Sequence, residues 1–256
     1  MPTPTRIPTL SDFTPLSPAL TVSLAFPSPP ESTTSILLLF HGLGDYEAPF
    51  AGFAENLALP GVLAISVRGV SPLPPSLLSD NGLDTSGPNV RHFHWGDDIT
   101  ISPTTGELDT DPGFEKAEGL VLGRLVREVL VGKCGWEAAD VLMFGFGQGG
   151  SLALGLAARV GAEGEAFKGV VSIGGPLPPS MVSSVSGREK ARTPVLVLHG
   201  KESEAVDEDA VEALRREFED VREVKWDRRD DGMPRSREEV LPMMQFFAER
   251  LKGEGV

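Results

Sequence analysis

The chain alternates between short unbroken apolar runs and longer segments with helical spacing. Residues 35–40 (SILLLF), 62–67, 141–146 (VLMFGF), 169–173 and 194–198 (PVLVL) are continuous apolar stretches. Runs this short, without alternation, predict strands covered on both faces. Residues 20–26 alternate and predict an edge strand, and residues 221–226 predict one more strand. Between them, Phe53 and Leu57, then Leu122, Leu125, Val126 and Val129, then Leu152, Leu156 and Val160, then Val211, Leu214 and Phe218 recur at helical spacing. Asp111-Pro112 has the form of a helix start, with Asp as N-cap and Pro at the first helical position. Ser236 with Glu239 after it reads as a capping box opening a final helix through Leu251. Strands alternating with helices predict an α/β fold, a mainly parallel twisted sheet with helices on both faces.

Two segments break this rhythm. Residues 1–18 are rich in Pro, Thr and Ser and are expected to be a loose N-terminal lead-in. Residues 71–111 are full of Pro, Gly, Ser and Asp, with His92, His94 and Trp95 in the middle. An aperiodic stretch of that length predicts a functional or disordered loop inserted into one domain spanning 19–252. No repeat or linker divides the chain.

Composition changes this picture in one respect. The length, 256 residues, suits one large domain, and 40% hydrophobic with 23% charged residues is ordinary for a globular protein. The net charge of −14 is not neutral in its consequences. It repels nucleic acid and anionic membranes, so neither is an expected partner. Cys134 is the single cysteine, so no intramolecular disulfide can form, which fits a reducing compartment. No stretch approaches the roughly 20 apolar residues that span a bilayer. The N-terminus carries no apolar signal core and the C-terminus no lipidation signal, so the expected location is cytoplasmic.

The chemistry concentrates where the strand at 141–146 runs into Gly145-Phe146-Gly147-Gln148-Gly149-Gly150 and then a helix. A strand–turn–helix of this kind is where a G-x-S-x-G elbow presents a nucleophilic serine. Here the central residue is Gly147. A dinucleotide-binding loop also reads G-x-G-x-x-G, but it needs an acidic residue at the end of the next strand. That strand ends in Ile173-Gly174-Gly175, which sets this reading aside.

Leu38 to Asp45 (LLFHGLGD), the G-F-x-Q-G-G run followed by Ser-Leu-Ala-Leu, the H-W-G-D segment at Trp95 and the L-H-G turn at His199-Gly200 occur together, in order. Over roughly residues 20–250 the chain thereby resembles the acyl-protein thioesterase and carboxylesterase family of α/β-hydrolases. The resemblance implies an α/β-hydrolase fold and a Ser-Asp-His triad on esters or acyl thioesters. It implies no cofactor and no metal. It places the oxyanion-hole amides at Leu43 and Gln148, and His41, Gly42 and Trp95 beside the cleft. It also places the triad at Gly147, Ser203 and Arg235, so by this matching none of the three catalytic side chains is intact.

Glycine carries no nucleophile, and arginine stays protonated and is no base near neutral pH. Glu202 and Glu204 flank the acid position and are more readily solvated surface acids. Ser151, Ser172 and Cys134 lie on no turn that would present a nucleophile. His92, His94, Asp97 and Asp98 supply metal-ligand types on one loop, a two-histidine pattern that does not define a metal site. Two functions follow. The first is a non-catalytic pseudohydrolase that binds an acyl or ester-like molecule, an acylated protein or another protein partner. The alternative is an active carboxylic-ester or palmitoyl-protein thioester hydrolase with relocated groups, using Glu202 or Glu204 with His92 or His94. The sequence carries no signal for oligomeric state.

Overall fold

The computed structural model describes residues 3–74, 92–99, 109, 111–185 and 187–252. Most of the loop expected over 71–111 lies outside the described residues. The apolar runs form strands β1 (Val22–Ala25), β2 (Ser35–Phe40), β3 (Val62–Val67), β6 (Val141–Phe146), β7 (Gly169–Ile173), β8 (Val195–Gly200) and β9 (Val221–Trp226). They make one seven-stranded sheet in the order β1-β3-β2-β6-β7-β8-β9. Only the edge strand β1 is antiparallel, pairing Val22 with Val67 and Ala25 with Ala64. The short β4 (Ser71–Pro72) and β5 (Phe93–His94) pair separately.

Every residue of β2 and β3 is buried, as unbroken apolar strands require. Alternate side chains feed opposite faces. Ile36, Leu38 and Phe40 join one core cluster with Leu63, Ile65 and Met143. Leu37 and Leu39 join the other with Leu142 and Phe144. The helices are α1 (Leu10–Phe13), α2 (Glu47–Leu57), α3 (Glu115–Glu118), α4 (Gln148–Ala162), α5 (Glu208–Glu217) and α6 (Arg237–Leu251). From Gly119 to Lys133, α3 continues as a π-helix that buries Val121, Leu122, Leu125, Val126, Val129 and Leu130. At its end the N–H of Cys134 donates to the carbonyl of Val129, 3.0 Å away.

Three local expectations are corrected. The N-terminal segment is docked, not loose, from Thr3 onward. Phe13 and Leu16 are buried. The Asp12 carboxylate accepts both terminal nitrogens of Arg6 at 2.7 and 2.8 Å and meets Lys133 Nζ at 2.9 Å. Arg6 also donates its backbone N–H to Cys134 O at 2.9 Å. These links use one aspartate and two hydrophobes in a Pro-rich stretch, which composition alone reads as disorder.

The helix expected to start at Asp111 starts at Glu115 instead. Asp111 bonds Ser180, at 2.7 Å to its N–H. The cap comes from Asp97, whose carboxylate accepts the N–H groups of Glu115 and Lys116 at 2.7 and 2.8 Å. Ser236 does cap α6, accepting from Glu239 N at 3.2 Å. Glu239 reaches back one residue further than a capping box prescribes, to Arg235 N at 2.7 Å.

Because Phe40 pairs with Gly145 and Ile173 with Phe146, the carboxyl ends of β2, β6 and β7 are level. The turns leaving that edge, after β2, β6, β7, β8 and β9, therefore converge, as ligand-binding loops do in open α/β sheets.

Candidate active site

The turn between β6 and α4 is a sharp strand-to-helix elbow with Gly147 at its tip. Gly147 has φ 51° and ψ −122°. That backbone is strained for any residue with a Cβ. It is fixed from both sides: Gly147 N–H donates to Ile173 O at 2.8 Å, and its carbonyl accepts from Ser151 N at 3.1 Å. A Cβ built on Gly147 meets nothing within 4 Å, so the seat of a side chain is open. Gly149 is the opposite case. A Cβ there would stand 2.4 Å from Phe40 O and 2.5 Å from His41 O. The first turn of α4 therefore presses against the end of β2 and brings the His41–Asp45 turn beside the elbow.

That turn is braced from behind. His41 is fully buried. Its Nε2 accepts from Gly69 N at 2.8 Å, and its Nδ1 faces Gly42 O at 2.7 Å. These partners assign the proton to Nδ1 of a neutral ring. Burial also holds its pKa below the ordinary histidine value, so it stays neutral.

The segment 92–97 supplies the rest of the brace. Gly44 N–H donates to Phe93 O at 2.9 Å, and Phe93 N–H to Asp45 O at 3.1 Å. His92 Nδ1 lies 2.8 Å from Gly44 O. The Trp95 indole donates to His41 O at 2.8 Å, and the Trp95 N–H donates to Gln148 Oε1 at 2.8 Å. Trp95 itself is fully buried, edge-on to Phe40. The H-W-G-D motif is thus a clamp joining the β2 turn, the elbow and the start of α3. His41, Gly42 and Trp95, expected beside a cleft, are buried.

Leu43 is partly exposed, at 39%. Among the described residues neither the Leu43 nor the Gln148 N–H has a hydrogen-bond partner. Both remain able to donate to a ligand oxygen.

Ser203, where the resemblance places the acid, is met by a carboxylate from another loop. Ser203 Oγ donates to Asp231 Oδ2 at 2.6 Å and accepts from Val206 N at 2.9 Å. The other Asp231 oxygen accepts Gly200 N–H at 2.8 Å. A carboxylate therefore does stand at this turn, delivered by the loop before α6. Matching by the expected histidine passes over it. Its only sequence signal is the Asp230-Asp231 pair preceding Gly232-Met233.

Arg235 is 67% exposed and pairs with Asp230 at 2.7 Å. Glu202 pairs with Arg229 at 3.1 Å, and Glu204 is exposed. Of the histidines proposed for a relocated set, His92 Nδ1 lies at Gly44 O and His94 is buried beside β4. His199 is likewise buried, with Nε2 3.2 Å from Glu223.

Ser151 and Ser172 are buried, and Ser172 Oγ donates to Gly175 O at 2.9 Å. Cys134 is buried too, and burial raises its thiol pKa, which leaves it unreactive. Among the described residues no three His, Cys, Asp or Glu side chains gather as a metal site, and Asp97 is engaged as a helix cap. A cavity of about 790 Å³ lies against α2 and the β1–β3 edge, lined by Phe26, Leu37, Ala54, Leu59 and Val62. No elbow residue lines it.

Among solved structures the chain is similar to acyl-protein thioesterase 2 of Zea mays, with TM-score 0.63 and 19% identity over 90% of this chain and 99% of that one. It is similar also to the Bacillus cereus carboxylesterase, with TM-score 0.61 and 15% identity over 95% and 100%. At such identities these likenesses show the fold. An uncharacterized hydrolase of Schizosaccharomyces pombe is 28% identical over 218 residues, 85% of this chain and 83% of that protein. Residues 24–252 match the phospholipase/carboxylesterase family, and the chain belongs to it.

Proposed function

We propose that this member of the family is a non-catalytic pseudohydrolase whose elbow cleft binds an acyl or ester-like group, free or carried by a protein. The observation that carries the reading is Gly147. It sits at the tip of the elbow, in the elbow's backbone conformation, with open space where the nucleophile's side chain would stand. Acyl transfer through a covalent intermediate needs a nucleophile and a base that takes its proton. Neither stands at this turn among the described residues. Loss of the full machinery costs on the order of 10⁶ in rate, leaving only what binding and an oxyanion hole supply.

The amides of Leu43 and Gln148 are the binding groups in this reading. A neutral carbonyl oxygen of an ester or thioester suits two N–H donors beside the amino end of α4. No membrane-spanning helix occurs among the described residues, and the negative charge favours an uncharged head group.

The test is turnover by the full chain. With 4-nitrophenyl butyrate and a short acyl thioester, the purified protein should hydrolyse no faster than a heat-denatured control. A fluorophosphonate probe should leave no adduct. Turnover abolished by one substitution, or a labelled serine, would instead establish an active hydrolase.

A further inference from the structure

We infer that Asp231 has taken over the seat of the triad's acid, so that of the three positions read as vacated, one still holds a working carboxylate. The inference deepens the reading of this turn as a former triad and rests on it.

Both oxygens of the Asp231 carboxylate are engaged by the β8 turn. One carboxylate oxygen accepts the Gly200 N–H and the other the Ser203 hydroxyl, at 2.8 and 2.6 Å. These two residues belong to the turn leaving β8, where the family resemblance places the acid. Asp231 arrives there because the segment from Arg228 to Asp231 lies over that turn. Lys201 N–H donates to Arg228 O at 2.8 Å, and a Cβ on Gly200 would meet Arg229 O at 2.2 Å.

On its other side the Asp231 side chain rests on Gly174, where an added Cβ would be 2.6 Å from Asp231 Cβ. The next residue, Gly175, lies against the Gly147 carbonyl, 2.4 Å from a Cβ placed on it. The carboxylate is therefore separated from the elbow by the Gly174–Gly175 turn alone. A side chain at 235 already folds back to this place. Arg235 Nη2 bonds Asp230 and sits 3.1 Å from a Cβ on Gly232, so it reaches the residues on both sides of Asp231.

The chemistry this permits balances without a further reactant. A serine at 147 attacks an ester carbonyl and passes its proton to an imidazole at 235. Asp231 accepts the other imidazole N–H and stabilises the ring's positive charge. The alkoxide or phenolate leaves with that proton or takes one from water. Water then hydrolyses the acyl-enzyme by the same route.

The experiment compares wild type, Gly147→Ser/Arg235→His, and that double variant with Asp231→Asn, Ser203→Ala or Ser203→Asp added, all on 4-nitrophenyl butyrate, with thermal melting of each. The double variant should exceed wild type by at least about 100-fold, with activity rising through the histidine range. Loss of a triad acid lowers kcat by on the order of 10⁴, so Asp231→Asn should remove most of the gain. It should also move the acid limb of the pH profile to lower pH, because the imidazolium loses its carboxylate.

Ser203→Ala breaks one bond of the same loop link but keeps the acid, so it should leave activity within a few fold. Equal losses from Ser203→Ala and Asp231→Asn would mean that Asp231 only ties the loops, and would overturn the inference. A folded double variant no faster than wild type, or one that turns over only with Ser203→Asp, would overturn it as well. Activity already present in wild type would defeat the pseudohydrolase reading instead, and is read separately.

Discussion

Gly147 and Gly149 stand two residues apart in one turn, yet the structure assigns their missing side chains opposite consequences. Gly147→Ser places a Cβ in open space at φ 51°. Its cost is backbone strain alone, about 1–3 kcal/mol, less about 0.4–1 kcal/mol gained because the unfolded chain loses freedom. The net loss is roughly 0–2.6 kcal/mol, or up to about 10 °C in Tm for a domain of this size. Gly149→Ala meets backbone: its Cβ would lie 2.4 Å from Phe40 O, and neither α4 nor β2 can yield without unpacking the other. That change belongs with the severe class, above about 4 kcal/mol. Gly52→Ala in α2 is an internal reference. It meets nothing within 4 Å and should gain about 0.5–1 kcal/mol by helix propensity. Urea unfolding of the three variants beside wild type, followed by circular dichroism, gives the ranking. If Gly147→Ser cost as much as Gly149→Ala, the seat at 147 would be filled rather than open, and the description of the elbow would fail. If it stabilised the fold, the strained backbone would be wrong.

Other consequences can be checked in the same way. Gln148→Ala leaves the Trp95 N–H without its acceptor and should cost about 1–3 kcal/mol in denaturant unfolding, while Gln148→Glu, which keeps an acceptor, should cost less. The bonds from Arg6 hold the Asp12 carboxyl well below the usual range, against the opposing effect of burial. Its contribution is therefore complete above the unfolded value near about 4 and is lost as pH falls toward its folded value, so Asp12→Asn should flatten the acid limb of stability against pH. Burial likewise depresses the pKa of His41, so the unfolded state takes up its proton first. Stability should fall as pH drops below about 6.5, and His41→Gln should weaken that slope in a melting series.

The central strands of the sheet were legible because they are buried on both faces. Residues 35–40, 62–67, 141–146 and 221–226 are strands with the bounds their composition predicts. What spacing could not carry is hydrogen-bond assignment. The buried positions of the 119–133 helix follow from Leu122, Leu125, Val126 and Val129, but its π pattern does not, since side-chain periodicity leaves the backbone partners open. The cap of α3 was misplaced for a related reason. Asp111-Pro112 satisfies the local rule, whereas Asp97 caps from farther back in the same 71–111 stretch and is visible only in three dimensions. At the site, Gly147 was readable because an elbow is a local motif. The Asp231–Ser203 contact was not, because a carboxylate brought in by a neighbouring loop leaves no mark in the sequence of the turn it meets.

The unpartnered Leu43 and Gln148 amides among the described residues do not by themselves argue for turnover. His41, Trp95 and Gly149 fix these amides, and the same residues close β2 against α4 and secure the β2 turn. Selection for folding alone would keep them. Binding at the elbow is therefore the quantity to measure, and the open seat at 147 supplies the probe. Methyl octanoate, a neutral ester, should raise Tm in proportion to the logarithm of its concentration, by about 2.7 kcal/mol of stability at 100 times Kd. Gly147→Leu directs a branched side chain into the seat while leaving every brace residue in place. It should lower the melting point of the free protein by the strain already worked out for serine, and it should abolish the ester-dependent shift. An undiminished shift in that variant would locate the ester elsewhere, with the cavity beside α2 the first place to look. Loss of the shift together with an intact fold would tie the ligand to the elbow.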